Sequence, residues 1–471
     1  MIGILSDKLH TFFSSHLAWP LLYGPWRPEK YLARLCSGKK RTLLGSPLEY
    51  RLKEQKALLA ALLEHAGQYV PYWRETFNKL GIDPVRIDNP LETLAVLPVL
   101  KRRTVQKEFL RLVSEDADCR YPLPNASGGS TGKPVSFLTD RAFRTHVTST
   151  AWAADSAAGW RPGARTVYLW GSDRDTAFGE SLTGRLKLFL RNQRFFNTFN
   201  ISEEELLAAH CMMQARRPRV LVGYASSVHL LARLLAGKGL APHYPEAGVI
   251  TSAETLTSPM REEIEKVFGS AKVFDRYGTR EAGLVAFECA GHKGLHVNMD
   301  ELVVELVDDL GRPVGPGRPG RVLVTTLYNR AMPLIRFDLE DLAEWSKDLC
   351  SCGDSSPLLA KVLGRSSDTI RTREGKLVHG EFFTHLFYGE RAVRRFQFIQ
   401  ESLTRFTLRY EGSASLDEGT RNSLGRKLRT VLGEGVEVNF EHCAEIEPLP
   451  SGKYRFTVSL LSGPEAKGES S

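Results

Sequence analysis

A segment rich in glycine and hydroxyl groups reads Ser127-Gly128-Gly129-Ser130-Thr131-Gly132-Lys133-Pro134. Glycine exposes backbone N–H groups, and such a loop can wrap the oxygens of a phosphate chain. It does not fit the P-loop of nucleoside triphosphatases, because Ser127 stands where a glycine is required and Pro134 follows Lys133 in place of a magnesium-binding Ser or Thr. A surface turn before the strand-like Val135 to Leu138 is the alternative. The segment alone favours neither.

Carboxylates, hydroxyls and cations recur in short segments downstream of this loop. In chain order the segments are Ser252-Ala253-Glu254, Asp275 with Tyr277-Gly278-Thr279-Arg280-Glu281, Pro333-Leu334-Ile335-Arg336-Phe337 to Asp341, Gly364-Arg365 and Ser451-Gly452-Lys453. Each segment by itself is typical of a turn or of solvated surface charges. A function can therefore be inferred only from their order along the chain.

Four cysteine and histidine residues have types and spacing that suit a metal ion. Cys350 and Cys352 form a tight pair, while Cys289 and His296 lie upstream. Two or three thiolates with an imidazole can close a tetrahedral zinc site. His292 competes with His296 for the fourth position, and free buried thiols are the alternative to zinc. The other cysteines show no metal-ligand spacing.

Two patterns of apolar residues indicate the elements that must position these groups. Pro47 to Gln68 carries leucines at helical spacing, and the first 110 residues are expected to be mainly helical. Short apolar runs then alternate with helix-like segments, which predicts an α/β sheet with ligands at its strand ends. The runs are Thr166 to Trp170, Val220 to Tyr224, Gly248 to Thr251, Val273 to Phe274, Leu302 to Val307 and Val322 to Leu327. Beyond Gly364 the pattern predicts a small α+β domain.

Length and charge restrict the class of protein. At 471 residues the chain exceeds the size of one hydrophobic core, so at least two folding units are expected. The formal net charge of +8 suits anionic ligands, but the Lys and Arg residues form no basic block, so a nucleic acid partner is not expected. Seven cysteines without a secretory signal favour a reduced, cytoplasmic compartment.

The N-terminal segment from Met1 to Trp26 contains several large apolar residues. Polar residues interrupt it before it reaches the length of a signal sequence, and no run approaches the roughly 20 residues that cross a bilayer. Packing onto its own domain is therefore favoured over amphipathic membrane contact. The residues concerned are Phe12, Phe13, Trp19, Leu21, Leu22 and Trp26.

The order of the segments resembles that of the adenylate-forming superfamily, which includes acyl-CoA synthetases, luciferases and the adenylation domains of peptide synthetases. The chain is most similar to the phenylacetate:CoA ligase-like branch. Leu97-Pro98-Val99-Leu100, Gly223-Tyr224-Ala225-Ser226 and Pro448 to Arg455 add to the resemblance, which runs from about Pro47 to Phe456. It implies a large ATP- and acid-binding domain over residues 1–363 and a small mobile α+β domain over 364–471.

The resemblance also implies a binding site for ATP and Mg²⁺. Glu281 would bind the magnesium, Tyr277 would stack on adenine, Asp275 would read the adenine amino group and Asp341 would accept from both ribose hydroxyls. Lys453 would bridge the reacting carboxylate and the α-phosphate as the main catalytic residue. The departing phosphates would lie in the glycine-rich loop on Ser127, Gly128, Ser130, Thr131, Gly132 and Lys133, and Ser252, Ala253, Glu254, Gly278, Thr279 and Arg365 would complete the nucleotide site.

Two positions depart from the family pattern. The hinge acid of the family lies two residues after the arginine of Gly364-Arg365, where this chain has Ser367 followed by Asp368. Either residue is a candidate hinge. Arg280 stands where many members have Thr or Ser, and Thr279 is the candidate for that contact. Some members of the branch carry a structural zinc, in agreement with Cys289, His296, Cys350 and Cys352.

The implied activity is ATP-dependent activation of a carboxylic acid to an acyl adenylate, followed by transfer to coenzyme A. Transfer to a carrier-protein thiol or to an amine would use the same ATP site, and a non-catalytic nucleotide-binding relative or a phosphotransferase are the alternatives from other classes. The acid is expected to be apolar or aromatic. Candidate pocket residues are Trp152, Trp170, Tyr224 and Ala253. The oligomeric state, monomer or homodimer, stays open.

Overall fold

The computed structural model describes most of the chain. The described residues are 11, 14, 47–127, 135–170, 182–198, 202–365, 370–373, 377–378, 383, 393–412, 415–447 and 455–461.

The first described part is helical, as the leucine spacing predicts. The longest helix buries Leu59, Leu62 and Leu63 completely in the main hydrophobic core. Pro71 begins the second helix, where the missing N–H costs no hydrogen bond, and Gly81 ends it in a left-handed conformation with φ of 66°. The helices are α1 (Leu48–Tyr69), α2 (Pro71–Leu80), α3 (Pro90–Val96), α4 (Arg102–Lys107) and α5 (Phe109–Leu112), followed by a 3₁₀ turn at Ala117–Arg120.

Two short antiparallel strands flank the glycine-rich segment. They are β1 (Leu123–Ala126) and β2 (Ser136–Thr139). Helix α6 (Arg141–Asp155) follows directly and begins at Asp140, whose side chain accepts from the backbone N–H of Phe143 at 2.8 Å. The glycine-rich segment is therefore bounded by ordered elements on both sides.

A parallel sheet forms the centre of the molecule. Its strands run in the order β4-β3-β5-β6-β7, with hydrophobic clusters on both faces. Such a sheet collects ligands at the carboxyl ends of its strands. The elements are β3 (Thr166–Trp170), α7 (Leu182–Leu190), β4 (Gln193–Asn197), α8 (Glu203–Arg216), β5 (Val220–Tyr224), α9 (Ala225–Gly237), β6 (Gly248–Ser252), α10 (Ser258–Phe268) and β7 (Val273–Thr279). Short 3₁₀ turns lie at Ser156–Ala158 and Ser270–Lys272.

Antiparallel strands extend this sheet beyond β7. Among the described residues eleven strands form one sheet, in the order β10-β11-β12-β13-β9-β8-β7-β6-β5-β3-β4. The added strands bring residues of distant sequence beside β7, with the nucleotide-binding candidates of β12 and β13 among them. They are β8 (Gly283–Glu288), β9 (Leu295–Val297), β10 (Leu302–Val307), β11 (Pro319–Thr326), β12 (Phe337–Trp345) and β13 (Leu358–Arg365).

The C-terminal part has a separate sheet and core. Its four-stranded sheet has the order β18-β17-β16-β19, and Phe396, Phe398, Phe406 and Leu428 lie in its own hydrophobic cluster. The elements are β14 (Ile370–Arg371), β15 (Leu377–Val378), β16 (Val393–Gln400), β17 (Arg405–Gly412), α11 (Glu418–Leu432), β18 (Glu437–Cys443) and β19 (Thr457–Ser459).

The predicted fold class is confirmed: a large α/β part is followed by a small α+β part. The domain boundary after residue 363 stays a prediction. None of the described helices is both long and apolar enough to span a bilayer. The apolar residues predicted to pack at the N-terminus, from Phe12 to Trp26, lie outside the described residues.

Candidate functional site

The carboxyl ends of β5, β6 and β7 bring several predicted site residues to one edge of the sheet. Tyr224 pairs with Ser252, and Ser252 pairs with Arg276, in the parallel registers of these strands. Side chains of a strand alternate between the two faces, so Asp275 and Tyr277 lie on one face and Arg276 on the other. The carboxyl ends of the parallel strands, where these residues lie, are the region where an α/β sheet binds its ligands.

Two neighbouring residues hold Asp275 in place. Thr251 Oγ1 donates to Asp275 Oδ1 at 2.8 Å, and the Asp275 backbone N–H donates to Glu288 Oε2 at 2.7 Å. Burial, together with the nearby Glu288 carboxylate, raises the pKa of Asp275 from 3.8 to about 6. The protein therefore keeps this carboxylate in an unfavourable environment, in which a donor such as an amino group would stabilise its charged form.

Tyr277, Asp341 and Arg365 meet although they come from three strands. Tyr277 Oη donates to Asp341 Oδ2 at 2.6 Å, and Asp341 and Arg365 are paired residues in the antiparallel register of β12 and β13. Gly364 precedes with φ of 88°, and a Cβ there would lie 2.8 Å from Thr255 Oγ1. Both the left-handed φ and the close approach of Thr255 require a glycine at position 364. The strand end of β13 thus lies against the loop that follows β6.

The segment Ser252-Ala253-Glu254 forms that loop. Ala253 has φ of 68°, a left-handed conformation that is uncommon for a residue with a side chain and often marks a functional turn. Glu254 Oε2 accepts from the backbone N–H of Ser226 at 2.9 Å, in the first turn of α9. A carboxylate at a helix N-terminus is favoured by the helix dipole. The contact fixes the loop to the carboxyl end of β5.

Arg102 is a residue that the sequence patterns do not single out. Its guanidinium donates to Ser127 Oγ at 3.2 Å and to Glu281 Oε1 at 3.1 Å, and its Nε lies 3.1 Å from Glu340 Oε2. Both Arg102 and Glu281 are buried. The forked geometry of arginine allows these simultaneous contacts. Arg102 therefore joins the start of the glycine-rich segment to the predicted magnesium ligand.

The glycine-rich segment is closed at its base. Ser127 and Val135 exchange hydrogen bonds: the Ser127 N–H donates to the Val135 carbonyl at 2.9 Å, and the Val135 N–H donates to Ser127 Oγ at 2.8 Å. The predicted phosphate-binding residues Gly128, Ser130, Thr131, Gly132 and Lys133 lie outside the described residues. Their roles stay predictions, supported by the position of the closed base beside Glu281.

The turn after β7 positions Glu281. Thr279 Oγ1 accepts from the backbone N–H of Ala282 at 3.1 Å, and Gly278 approaches the Gly283 carbonyl so closely that a Cβ would lie 3.0 Å from it. Arg280 is exposed, and Thr279 fixes the turn. The assignment of a ligand contact to Thr279 in place of Arg280 stays a prediction.

The motif Pro333 to Phe337 contributes a structural arginine. Arg336 Nη1 donates to the backbone carbonyls of Ala95 and Leu97 at 2.9 and 2.6 Å, and its guanidinium pairs with Glu305. Arg336 itself is buried with φ of 49°. It joins the helical start of the chain to β12, which carries Asp341.

Three predicted catalytic or hinge positions lie outside the described residues. They are Lys453 with its neighbours Ser451 and Gly452, and the hinge candidates Ser367 and Asp368. Arg365 is described in its backbone alone. The assigned roles of these residues stay predictions.

The candidate acid-pocket aromatics cluster on the face of the sheet opposite Asp275. The rings of Trp170 and Tyr224 lie 4.4 Å apart between centroids, and those of Trp152 and Trp160 lie 5.7 Å apart. Trp160 is buried with the β-strand residues of this face. Trp152 therefore packs against the buried Trp160, whereas Trp170 and Tyr224 are the last residues of their strands.

The predicted cysteine and histidine cluster is assembled in space. One ligand atom from each of Cys289, His296, Cys350 and Cys352 lies within 4.8 Å of all the others. The Cys289 and Cys350 sulfurs are 3.5 Å apart, and Cys352 Sγ is 3.3 Å from His296 Nε2. A tetrahedral zinc with bonds of about 2.3 Å to sulfur holds its thiolates about 3.8 Å apart. The four residues therefore fit a zinc ion.

Neighbouring groups orient the cluster as second-layer partners of a metal site do. His296 Nδ1 lies 3.0 Å from Ser356 Oγ, which turns Nε2 toward the sulfurs, and the Gly291 N–H donates to Cys289 Sγ at 3.3 Å. His292 faces Glu288 Oε1 at 3.2 Å instead. The alternative between the two histidines is thus resolved in favour of His296 as the member of the cluster.

Comparisons with known proteins find a family model for the C-terminal part and relatives over most of the chain. Residues 370–459 match the family described as the CapK C-terminal domain. A phenylacetate-coenzyme A ligase of Thermus thermophilus is 28% identical over 334 residues, covering 68% of this chain and 71% of that protein. Protein CapK of Staphylococcus aureus is 23% identical over 377 residues, covering 78% of this chain and 80% of that protein.

The fold has a counterpart among solved structures. That of 2-hydroxyisobutyryl-CoA ligase in the postadenylation state matches with a TM-score of 0.70 at 20% identity, covering 88% of this chain and 90% of that one. These findings support the adenylate-forming superfamily. Within it, the relatives named phenylacetate-coenzyme A ligase and CapK support the phenylacetate:CoA ligase-like branch. The resemblance inferred from motif order is confirmed.

The contacts of Arg102 with Ser127 and Glu281 place it beside the predicted phosphate- and magnesium-binding groups. We expect Arg102→Met to lower kcat/KM for ATP by about 10- to 100-fold, since charged hydrogen bonds contribute about 1.5–3 kcal/mol each. Arg102→Lys keeps the charge without the fork and should recover part of the loss. Steady-state kinetics with Arg103→Met, an exposed neighbour, as control would test this. Equal losses in both methionine variants would contradict it.

The raised pKa of Asp275 predicts a stability gain on neutralisation. Because the folded-state pKa is about 6 against an ordinary 3.8, the folded protein binds more protons between these values, and stability falls as pH rises through that window. Asp275→Asn should therefore raise the free energy of unfolding by about 2–3 kcal/mol at pH 7.5 and by less at pH 5. Urea unfolding at both pH values measures it. The exposed Asp309→Asn is the control, and a pH-independent gain would contradict the prediction.

Proposed function

We propose that this protein activates an organic acid with ATP to an acyl adenylate and transfers the acyl group to coenzyme A. The proposal is carried by one observation: Tyr277, Asp341 and Arg365, separated by up to 88 positions, meet at the edge of the sheet beside Asp275. A stacking ring, a carboxylate for ribose hydroxyls and a second carboxylate for an amino group match the parts of a nucleoside. The curated relatives named as coenzyme A ligases support the choice of acceptor.

The first step joins the acid to AMP. An oxygen of the substrate carboxylate attacks the α-phosphorus of ATP, and the bond from that phosphorus to the bridging oxygen of pyrophosphate breaks. The electron pair leaves with pyrophosphate. Lys453 would neutralise charge shared by the reacting carboxylate and α-phosphate, while the segment beginning at Ser127 holds the departing phosphates. Mg²⁺ on Glu281 would neutralise further phosphate charge when bound.

The second step transfers the acyl group. The sulfur of coenzyme A, as thiolate, attacks the acyl carbon, a thioester bond forms, and AMP leaves with the oxygen of the mixed anhydride. Rotation of the small domain about Ser367 or Asp368 would withdraw Lys453 and admit the thiol. A carrier-protein thiol or an amine would follow the same path. Magnesium and nucleotide residues are shared by all three acceptors.

Product analysis tests the proposal. The purified protein is incubated with ATP, Mg²⁺ and a panel of aryl and aliphatic acids, and AMP, ADP and pyrophosphate are quantified with and without coenzyme A. Acid-dependent AMP and pyrophosphate, with a thioester only when coenzyme A is present, is the expected result. ADP in place of AMP would show a phosphotransferase. Nucleotide binding without any product would favour a non-catalytic relative.

We further propose that Cys289, His296, Cys350 and Cys352 hold a structural zinc ion. The spacing of their ligand atoms and the orienting contacts from Ser356 and Gly291 support this. With all four positions filled by protein, such an ion has no open position for substrate and acts on stability, not on chemistry.

A further inference from the structure

A row of side chains crosses the sheet on the face opposite Asp275 and Tyr277. Trp170, Tyr224 and Ser252 are the last residues of three neighbouring parallel strands. Tyr224 is paired to Ser252, and Ser252 is paired to Arg276 in the middle of β7. The Trp170 and Tyr224 rings are in contact. The row therefore passes from an aromatic end through a hydroxyl to a guanidinium. It lies one residue away, along β7, from both predicted nucleotide contacts.

Arg276 is paired with the last residue of helix α6. Its Nη1 donates to Asp155 Oδ1 at 2.6 Å, and the two side chains keep 17% and 8% of their exposure. Among the described residues this is the one side-chain hydrogen bond of either group. A guanidinium has five N–H donors and a carboxylate has two acceptor oxygens. Within the part of the chain that the structure describes, most of the hydrogen-bonding capacity of this sheltered pair is thus unused.

The apolar surroundings of Arg276 and Asp155 make hydrogen-bonding groups without a partner energetically unfavourable. Phe287 is the register neighbour of Arg276 on β8, and Trp152 lies one helical turn before Asp155 on α6. The face between them is an apolar cluster with Trp160, Val222 and Phe274 buried in it. Polar groups in such surroundings are stabilised by a partner that both donates and accepts hydrogen bonds.

We propose that Arg276 and Asp155 form the polar end of the acid-binding pocket and recognise a hydroxyl group on the substrate, so that the preferred acid is a hydroxylated one with an aromatic or apolar body. This rests on the proposed function. A hydroxyl oxygen accepts from the free guanidinium N–H groups while its proton is donated to the second oxygen of Asp155. A second carboxylate on the substrate would be repelled by the negative charge of Asp155. An unsubstituted ring would leave the remaining guanidinium N–H groups and the second oxygen of Asp155 without a substrate partner.

The expected preference can be stated as a ratio. A site built to bond a substrate hydroxyl rejects the analogue that lacks it, because the site's own groups are then left unpaired. We expect kcat/KM for the better of 3- and 4-hydroxyphenylacetate to exceed that for phenylacetate by about tenfold or more. The matched pair of acids differs in one oxygen atom, so body size and carboxylate chemistry are held constant.

Variants of Arg276 and Asp155 test whether these two residues cause the preference for a hydroxylated acid. The double variant Arg276→Met/Asp155→Leu replaces both charges by apolar groups of similar size and should reduce the hydroxy-to-deoxy ratio to near one. Asp155→Asn leaves the arginine charge uncompensated and should shift the preference toward 4-carboxyphenylacetate. Arg276→Lys keeps a donor and should retain part of the ratio. The exposed pair Arg409 and Glu441, replaced in the same way, serves as control.

Each outcome decides between specificity and mere packing. A ratio that falls in the double variant and moves toward the dicarboxylate in Asp155→Asn supports the inference. Equal losses for hydroxylated and plain acids, or a wild-type ratio near one, would show that the pair only fastens α6 to the sheet. If the double variant does not fold, Asp155→Asn and Arg276→Lys carry the test alone. Absence of pyrophosphate with every acid would instead remove the proposed function.

Discussion

Lys453→Ala is expected to slow acid-dependent pyrophosphate release by about 100- to 1,000-fold, the range found when one preorganised donor to a developing charge is removed. In the adenylation step the lysine would face both the attacking carboxylate and the α-phosphate, and no other group assigned to the site takes that position. Binding of ATP should change little, because the groups around Tyr277 and Asp341 are untouched.

The same variant offers a second, independent measurement. When the acyl adenylate is supplied preformed, thioester formation with coenzyme A should proceed at close to the wild-type rate, because the proposed rotation would withdraw the lysine in that step. Lys427→Ala, an exposed lysine of α11 in the same small domain, is the matched control. Loss of both half-reactions in Lys453→Ala would show damage to the small domain and not a role in adenylation.

Removal of the proposed zinc ion should have the largest effect on stability. The cluster joins Cys289 and His296 to the loop of Cys350 and Cys352, and Asp354 in that loop pairs with Arg51 of helix α1 at 2.8 Å. Replacing Cys289 by alanine deletes a buried ligand and should lower the midpoint of thermal unfolding by on the order of 10 °C. Adenylation measured at 20 °C should be retained, since the cluster lies outside the nucleotide site.

Metal analysis supplies the direct readout for this prediction. We expect about one zinc ion per chain in the wild type and loss of that ion in Cys289→Ala, whereas the exposed Cys211→Ala should keep both metal and stability. Wild-type protein without zinc, or a Cys289→Ala variant that unfolds at the wild-type temperature, would show that the four residues are a packed thiol cluster.

The sequence predicts those parts of the site that depend on residue type and order. The Cys289, His296, Cys350 and Cys352 cluster is assembled as predicted, and Tyr277 contacts Asp341, two residues that the resemblance assigns to one nucleotide site. Helix α1 and the parallel strands follow from apolar periodicity, which reports a local property of the chain.

Arg102 and the Asp155–Arg276 pair are not predicted because nothing local marks them. Arg102 reaches Glu281 across 179 positions, and Asp155 reaches Arg276 across 121. The register of β12 and β13 shifts between Leu342 and Ala343, so the pairing of Asp341 with Arg365 cannot be counted along either strand. Such contacts depend on which strands become neighbours, and a single sequence does not encode that in its spacing.

Strand β13 ends in the predicted nucleotide site, since Arg365 is its last residue and pairs with Asp341. The predicted hinge, Ser367 or Asp368, follows Arg365 by two or three residues in the sequence. Free-energy linkage is reciprocal: if nucleotide binding biases the small domain toward one orientation, holding the domain in that orientation must tighten nucleotide binding by the same factor. An inhibitor that binds between the two domains and changes their orientation would therefore also change the affinity for the nucleotide, without contacting the purine.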